Sequence, residues 1–216
     1  MSKKKKLFRA AIALVLVLAI GFGAVWFLFL RAPRLDSIYD RVVELVEASY
    51  QVNTVFYGAG LPVYRTDSPY ADFTHLYFGF DYAGNYEIVT GQSRFISSLE
   101  IQSAAEQVYS KAYLEEVLYP LAFDGYAIEG GGKTDYAFAR YLEDEEWIYQ
   151  AVSSENYLKG MRIYDYSTMK IVYPSNSKSC YVEMDSWLED EPDKVTSVRL
   201  RLVLQDGQWF LDSFTG

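Results

Sequence analysis

From Ala10 through Leu30 the chain runs for 21 residues without a charged side chain. Coiled as an α-helix rising ~1.5 Å per residue, that stretch is about 30 Å long, the thickness of the hydrocarbon core of a bilayer. A charge at mid-bilayer costs roughly 3 kcal/mol, and none is present. Lys3, Lys4, Lys5, Lys6 and Arg9 precede the run, while only Arg31 and Arg34 closely follow it. The excess of basic residues on the N-terminal side directs that side to the cytoplasm. Trp26 falls toward the outer end, where an indole suits the interface.

A cleaved signal peptide is the competing reading. Its apolar core runs roughly 7–15 residues, shorter than this one, and the small pair Gly21 and Gly23 lies inside the run instead of after it. No cysteine closely follows that would accept a lipid. The expected organisation is therefore a basic cytoplasmic tail at 1–9, a single-pass transmembrane anchor at 10–30, a juxtamembrane linker at 31–34, and an extracytoplasmic α+β domain at 35–216.

All 29 Asp and Glu side chains lie beyond the apolar run, with 15 of the 20 Lys and Arg, a formal −14 for residues 31–216. An acidic surface repels phosphate backbones, so nucleic acid is excluded as a partner. One cysteine, Cys180, allows no intrachain disulfide, and about 180 residues bury a core without one. The absence of disulfides and of Asn-x-Ser/Thr sequons fits a bacterial envelope better than a eukaryotic secretory route.

Leu35, Ile38, Tyr39, Val42, Leu45, Val46 and Tyr50 recur at three- and four-residue spacing, an amphipathic helix with one buried stripe. Residues 51–72 hold Gly58, Gly60, Pro62 and Pro69 without a steady period and read as a long loop. Alternation over 73–82 marks a half-buried strand, and Ala83-Gly84-Asn85 turns it into a second at 86–90. Ser97-Ser98-Leu99-Glu100 is a capping box opening a helix through Ile101, Ala104, Ala105 and Val108. A helical piece at 113–119 is expected to stop at Pro120, and 125–133 to be a glycine-rich break.

Beyond the break the chain reads as strands. Residues 136–141 and 147–152 flank the acidic turn Glu143 to Glu146; 162–166 and 170–173 are shorter. Residues 180–188 and 195–204 flank a second acidic turn, Glu189 to Asp193. Asp206-Gly207 signals a type I′ hairpin into 209–214. Helices first and antiparallel strands after define an α+β fold, with helices packed on one curved antiparallel sheet that ends in a β-meander.

The ending from Val198 to Phe214, an alternating strand, an Asp-Gly turn, then Trp209-Phe-Leu-Asp212, resembles the final hairpin of the nuclear-transport-factor-2-like (cystatin-like) superfamily. That likeness implies an α+β cone. Residues 97–113 with Arg140-Tyr141 also resemble exported Gram-positive proteins related to IseA-type inhibitors of cell-wall endopeptidases. Neither resemblance brings a functional residue onto this chain.

Chemistry-bearing motifs are few. Gly130-Gly131-Gly132-Lys133-Thr134 ends like a phosphate-binding loop, but Ala127 stands where the first glycine belongs. Ser167-Thr168-Met169-Lys170, with Ser154-Glu155-Asn156 and Lys133-Thr134, mimics the penicillin-binding motifs in reversed order. His75, the only histidine, has no nucleophile motif beside it and reads as a hydrogen-bonded structural residue. One His and one Cys exclude the usual zinc spacings. The clusters at 143–146 and 189–193 lack the alternating ligands of a calcium loop and read as solvated turns.

Twenty tyrosines, all beyond the apolar run, are the compositional oddity. A phenol with an apolar body and a polar tip suits strands with one wet face. The functional counterpart is an aromatic cleft, for which Tyr136, Tyr141, Trp147, Tyr149, Tyr164, Tyr166 and Tyr173 are the residues to test.

No catalytic, cofactor-binding or metal-binding residue is assigned. The expected function is a non-catalytic, membrane-anchored binding or accessory domain acting on a protein or cell-envelope component, without cofactor. The alternatives are a small-molecule enzyme pairing a carboxylate (Asp135, Asp165 or Asp185) with a tyrosine in a cone pocket, and a scaffolding subunit of a membrane assembly. The sequence leaves the oligomeric state open.

Overall fold

The computed structural model describes residues 15–23, 31–64, 86–124, 126–130, 133–137, 139–151, 158 and 160–216, with backbone alone at 126–130 and 133–137. Its order is helix α1 (Leu35–Phe56), strand β1 (Tyr86–Ile88), helix α2 (Ser98–Glu106), a short turn α3 (Lys111–Tyr113), and then β2 (Tyr126–Gly130) and β3 (Lys133–Ala137). Next come β4 (Tyr141–Glu143), β5 (Ile148–Ala151), β6 (Arg162–Val172), β7 (Ser179–Leu188), β8 (Glu191–Gln205) and β9 (Gln208–Leu211). The fold is α+β, with antiparallel pairing throughout the strands.

The expected single sheet is three. β6-β7-β8-β9 form a four-stranded meander, β1-β5-β4 a three-stranded sheet, and β2-β3 a separate hairpin. Long strands explain the first. Along β7, Cys180, Val182, Met184 and Ser186 are buried while Tyr181, Glu183 and Asp185 face outward, the period-two pattern of a sheet with one covered face. The meander takes in 162–166 and 170–173 as a single strand whose register shifts between Asp165 and Lys170. The second acidic turn shrinks to Glu189-Asp190, with Glu191 already in β8 opposite Leu188. Asp206 (φ 50°) and Gly207 (φ 81°) both adopt the positive φ that a type I′ turn requires.

α1 begins where the apolar spacing places it but continues six residues past Tyr50, through the segment read as loop. Ser49 and Asn53 fall on its buried face and hide the stripe from a hydrophobic count. Both are paired: Ser49 Oγ lies 2.6 Å from Thr215 Oγ1, Asn53 Nδ2 donates to the same oxygen at 2.7 Å, and Tyr109 Oη donates to Asn53 Oδ1 at 2.6 Å. The Tyr164 hydroxyl donates to the Thr215 carbonyl. The C-terminal segment is thereby fixed to the middle of α1. Above this network, Ile38, Val42, Leu45 and Val46 pack in one cluster with Cys180, Val182, Met184, Leu200 and Leu202.

The Ser97 hydroxyl accepts from the Glu100 N–H at 3.2 Å, as the capping box requires, while the Glu100 carboxylate reaches back to the Ile96 N–H at 2.8 Å. Pro120 does not stop the helical path. Leu114–Leu118 and Pro120–Asp124 wind as wide π turns, whose looser radius relieves the clash between a proline ring and the preceding turn. The glycine-rich break is in part strand, since 126–130 is β2, paired in register with β3.

Residues 15–23 are helical, with Val15, Leu16, Val17, Leu18, Ile20 and Phe22 all more than half exposed. Among the described residues no helix is long and apolar enough to cross a membrane. The remainder of the expected anchor, 10–14 and 24–30, lies outside the described residues, as do the basic tail at 1–9 and the strand at 73–82 with its turn.

Candidate binding groove

A depression lies between α1, α2 and β9. It has a volume of about 710 Å³ and joins a neighbour of about 540 Å³ through the shared walls Glu106, Gln208 and Phe210. Leu45, Val52, Phe95, Val108 and Phe210 give it an apolar floor; Arg41, Glu44, Arg94, Glu100 and Glu106 give it a rim of mixed sign.

Arg41 holds the three walls together. Its Nε donates to the Trp209 carbonyl (3.0 Å), Nη2 to the Gln107 carbonyl (3.3 Å), and Nη1 lies 2.9 Å from Glu44 Oε2. Its guanidinium also sits 5.5 Å from the Phe210 ring centroid. With donors already directed at protein oxygens, Arg41 is a clamp. Arg94 differs: it is exposed, lies 5.6 Å from its neighbour Phe95, and has no acidic partner among the described residues. Farther along, Tyr119 Oη donates to Glu106 Oε1 at 3.3 Å; burial and the Glu106 charge push the phenol up to about 12, so it remains a neutral donor. Each depression has the volume of a small-molecule site, and together they form a longer trough with an apolar base and charges of both signs along its lip.

The tyrosines named from sequence do not form one cleft. Tyr141, Tyr149 and Tyr164 are core residues, their hydroxyls donating to Val55 O (2.8 Å), Asp144 Oδ2 (2.7 Å) and Thr215 O. Burial holds the Tyr141, Tyr164 and Tyr166 phenols above their ordinary range. Tyr166 is half-buried and stacks on Tyr164 at 6.4 Å; Trp147 borders a separate small cluster of Tyr86, Ile88, Tyr149 and Ala151; Tyr173 is 90% exposed. The Tyr136 side chain lies outside the described residues. Tyr141 and Tyr164 are explained by a core that needs a polar tip to satisfy backbone carbonyls.

The carboxylate candidates are equally scattered. Asp165 and Asp185 face each other across β6 and β7, but Asp165 Oδ1 is taken by the Ser167 N–H (3.0 Å) and hydroxyl (2.6 Å). The inner side of the meander is filled by side chains. The Asp135 side chain, His75 and 154–156 lie outside the described residues. Lys133 and Thr134 are in a hairpin strand, without the strand-to-helix turn of a phosphate loop. Lys170 Nζ pairs with Glu183 at 2.8 Å, which removes it as a base for Ser167. Burial alone raises the Cys180 thiol to about 12, making it inert.

Both acidic turns serve the fold. Asp144 accepts from the Glu146 and Trp147 N–H groups (2.9 and 2.8 Å) and from Tyr149; burial would raise its carboxyl, and these bonds outweigh it and hold it low. Glu143 accepts from the Ser98 N–H at the start of α2, where a negative charge is favoured. Among the described residues no three His, Cys, Asp or Glu side chains gather as a metal site.

The groove residues escape sequence reasoning because they come from three separate segments, 41–52, 94–108 and 208–210, each reading as an ordinary amphipathic surface. Arg140 was missed too. It is 5% exposed, donates to the Gly58 carbonyl, and leaves its Nε without a partner among the described residues. No protein-family model, curated protein or solved structure matches this chain.

Proposed function

We propose that the chain is a membrane-anchored, extracytoplasmic binding domain that holds an extended segment of a protein or envelope polymer in the trough between α1, α2 and β9, without chemistry of its own. The joined trough is the observation that carries this reading. Its length, its apolar floor and the mixed charges of its lip match a chain-like ligand, and its walls are already clamped by Arg41. The anchor at 10–30 is supported by the uncharged run and by the outward-facing apolar side chains of 15–23. The likeness to the nuclear-transport-factor-2-like superfamily is supported by a long early helix lying on one face of a closing meander.

The test is site-specific photocrosslinking in cells expressing the full chain. A photoreactive residue at Ser103 or Gln208, both exposed on the trough, is expected to trap one common partner, and Ala104→Trp, which fills the trough, to abolish it. If adducts from the trough are no more specific than those from Asp190, on the far turn, the reading is wrong.

A further inference from the structure

The second depression of the trough has unbalanced charge of one sign. Glu106, Glu115 and Asp206 line it against one cation, Lys111. Lys111 and Glu115 form an ion pair with each other, Nζ to Oε1 at 3.7 Å, and cancel. Among the described residues neither Glu106 nor Asp206 is in an ion pair. Lys178, whose carbonyl accepts the Leu204 N–H, is not one of the walls. Two negative charges are therefore left over. The first depression differs: Arg41 pairs with Glu44, and Arg94 is matched in number by Glu100.

Glu106, the wall that both depressions share, stands where the fold has least use for a carboxylate. It is the last residue of α2, whose final turn holds no basic residue. The free carbonyls of a helix C-terminus already present negative potential, so an acid there is disfavoured. Arg41 reaches the Gln107 carbonyl close by, but its guanidinium is balanced by Glu44. The hydrogen bond Glu106 accepts comes from the Tyr119 hydroxyl, a neutral donor that leaves the charge in place. That phenol registers the field: burial first, then Glu106 and Glu115, push it up to about 12. A positive group brought to the same place is favoured by those two charges.

The geometry also favours one kind of cation. Glu106 Oε1 is engaged by Tyr119, whereas a guanidinium binds best with both carboxylate oxygens open. An ammonium needs only one. Leu114 and Phe210 offer apolar surface to a four-carbon stem, and about 540 Å³ has room for such a side chain. Next to it lie the apolar floor of the first depression and the exposed amides of Gln107 and Gln208, which match the donors and acceptors of a peptide backbone.

We propose that the occupant of the trough is an extended polypeptide segment bearing lysine, with its ammonium in the second depression facing Glu106 and Asp206 and aliphatic side chains on the floor of the first. Charge complementarity argues for it, and the same carboxylates repel a phosphate-bearing or acidic polymer. This inference rests on the trough being the binding surface.

The full chain in detergent micelles, panned at ~0.15 M salt against a phage-displayed library of random dodecapeptides, tests it. Selected peptides are expected to be enriched in lysine over arginine and depleted of acidic residues. In fluorescence anisotropy with a selected peptide, acetylating its lysine should weaken binding about tenfold, and Glu106→Gln about fivefold. Asp206→Asn, which tolerates the positive φ there, should act in the same direction. Glu189→Gln makes the same change of net charge on the exposed far turn, and should weaken binding less than about twofold. Absence of lysine enrichment, or equal weakening by Glu106→Gln and Glu189→Gln, overturns the lysine assignment. The trough survives that result if Ala104→Trp still abolishes binding. Peptide binding that Ala104→Trp leaves intact overturns both. A library that yields no binder overturns the polypeptide as occupant, and crosslinking from Ser103 then judges the trough separately.

Discussion

The meander with α1 and the small β1-β5-β4 sheet are held together in different ways. In the meander, long strands alternate and their inner side chains form one dry cluster against α1. In the small sheet, strands of three or four residues cannot build such a face, and β5 is buried on both sides. Ile148 joins the main core while Tyr149 and Ala151 belong to the satellite cluster. Side chains there satisfy backbone groups instead. Gln150 Oε1 accepts from the Leu61 N–H at 2.6 Å, Tyr86 Oη donates to Ala139 O at 2.7 Å, and Tyr141 Oη to Val55 O. One region is specified by apolar pattern, the other by individual polar pairs.

Alkali is the harshest test of this division. Tyr109 and Tyr164 have phenols pushed far above their ordinary value of 10.0, by burial first, and Cys180 is raised from 9.0 to about 12. In the unfolded chain these groups ionise near their ordinary values, so their contribution is complete below about pH 9 and is lost as pH climbs through the folded values. Each fully buried group steepens the loss by ~1.4 kcal/mol per pH unit. Urea midpoints should be flat to about pH 9 and collapse above pH 10, with the tyrosinate absorbance of Tyr109 and Tyr164 appearing only on unfolding.

Leu202→Ala, in the dry cluster, is expected to cost ~2–5 kcal/mol in urea unfolding and to lower the whole transition. Gln150→Leu should cost ~1–3 kcal/mol, because it strands the buried Leu61 N–H. Its mark is local: hydrogen exchange should speed at Leu61 before it does at Leu202. Equal acceleration at both would mean the two regions are one cooperative unit. Smallest is Ser97→Ala, about 1 kcal/mol from the lost cap of α2.

The same division governs what the sequence discloses. β7, β8 and the Asp206-Gly207 turn are legible because period-two alternation and a positive-φ pair are local signals. The last turns of α1 are not, because Ser49 and Asn53 are made tolerable inside by Thr215 and Tyr109, which no local window contains. The splitting of strands among three sheets, the π turns carried past Pro120, and the trough all depend on which segments meet. Tyrosine abundance fits strands with one wet face before it fits a ligand-binding cleft, and Tyr141, Tyr149 and Tyr164 are occupied with backbone and carboxylate oxygens inside the molecule.

Arg140 adds a contrast of its own. A guanidinium 5% exposed, its Nε without a partner among the described residues, is a cost that the meander carries nowhere. Its bond to Gly58 joins the end of α1 to the small sheet. Arg140→Gln is expected to change urea stability by less than Leu202→Ala does.

The topology itself is most directly tested with a cysteine at Asp190 and a membrane-impermeant maleimide added to intact cells. A C-terminal domain exported past a retained anchor gives labelling before lysis, from the full-length chain in the membrane fraction. Labelling that appears only after the cells are broken would put the acidic domain in the cytoplasm and end the anchored, outward-facing account.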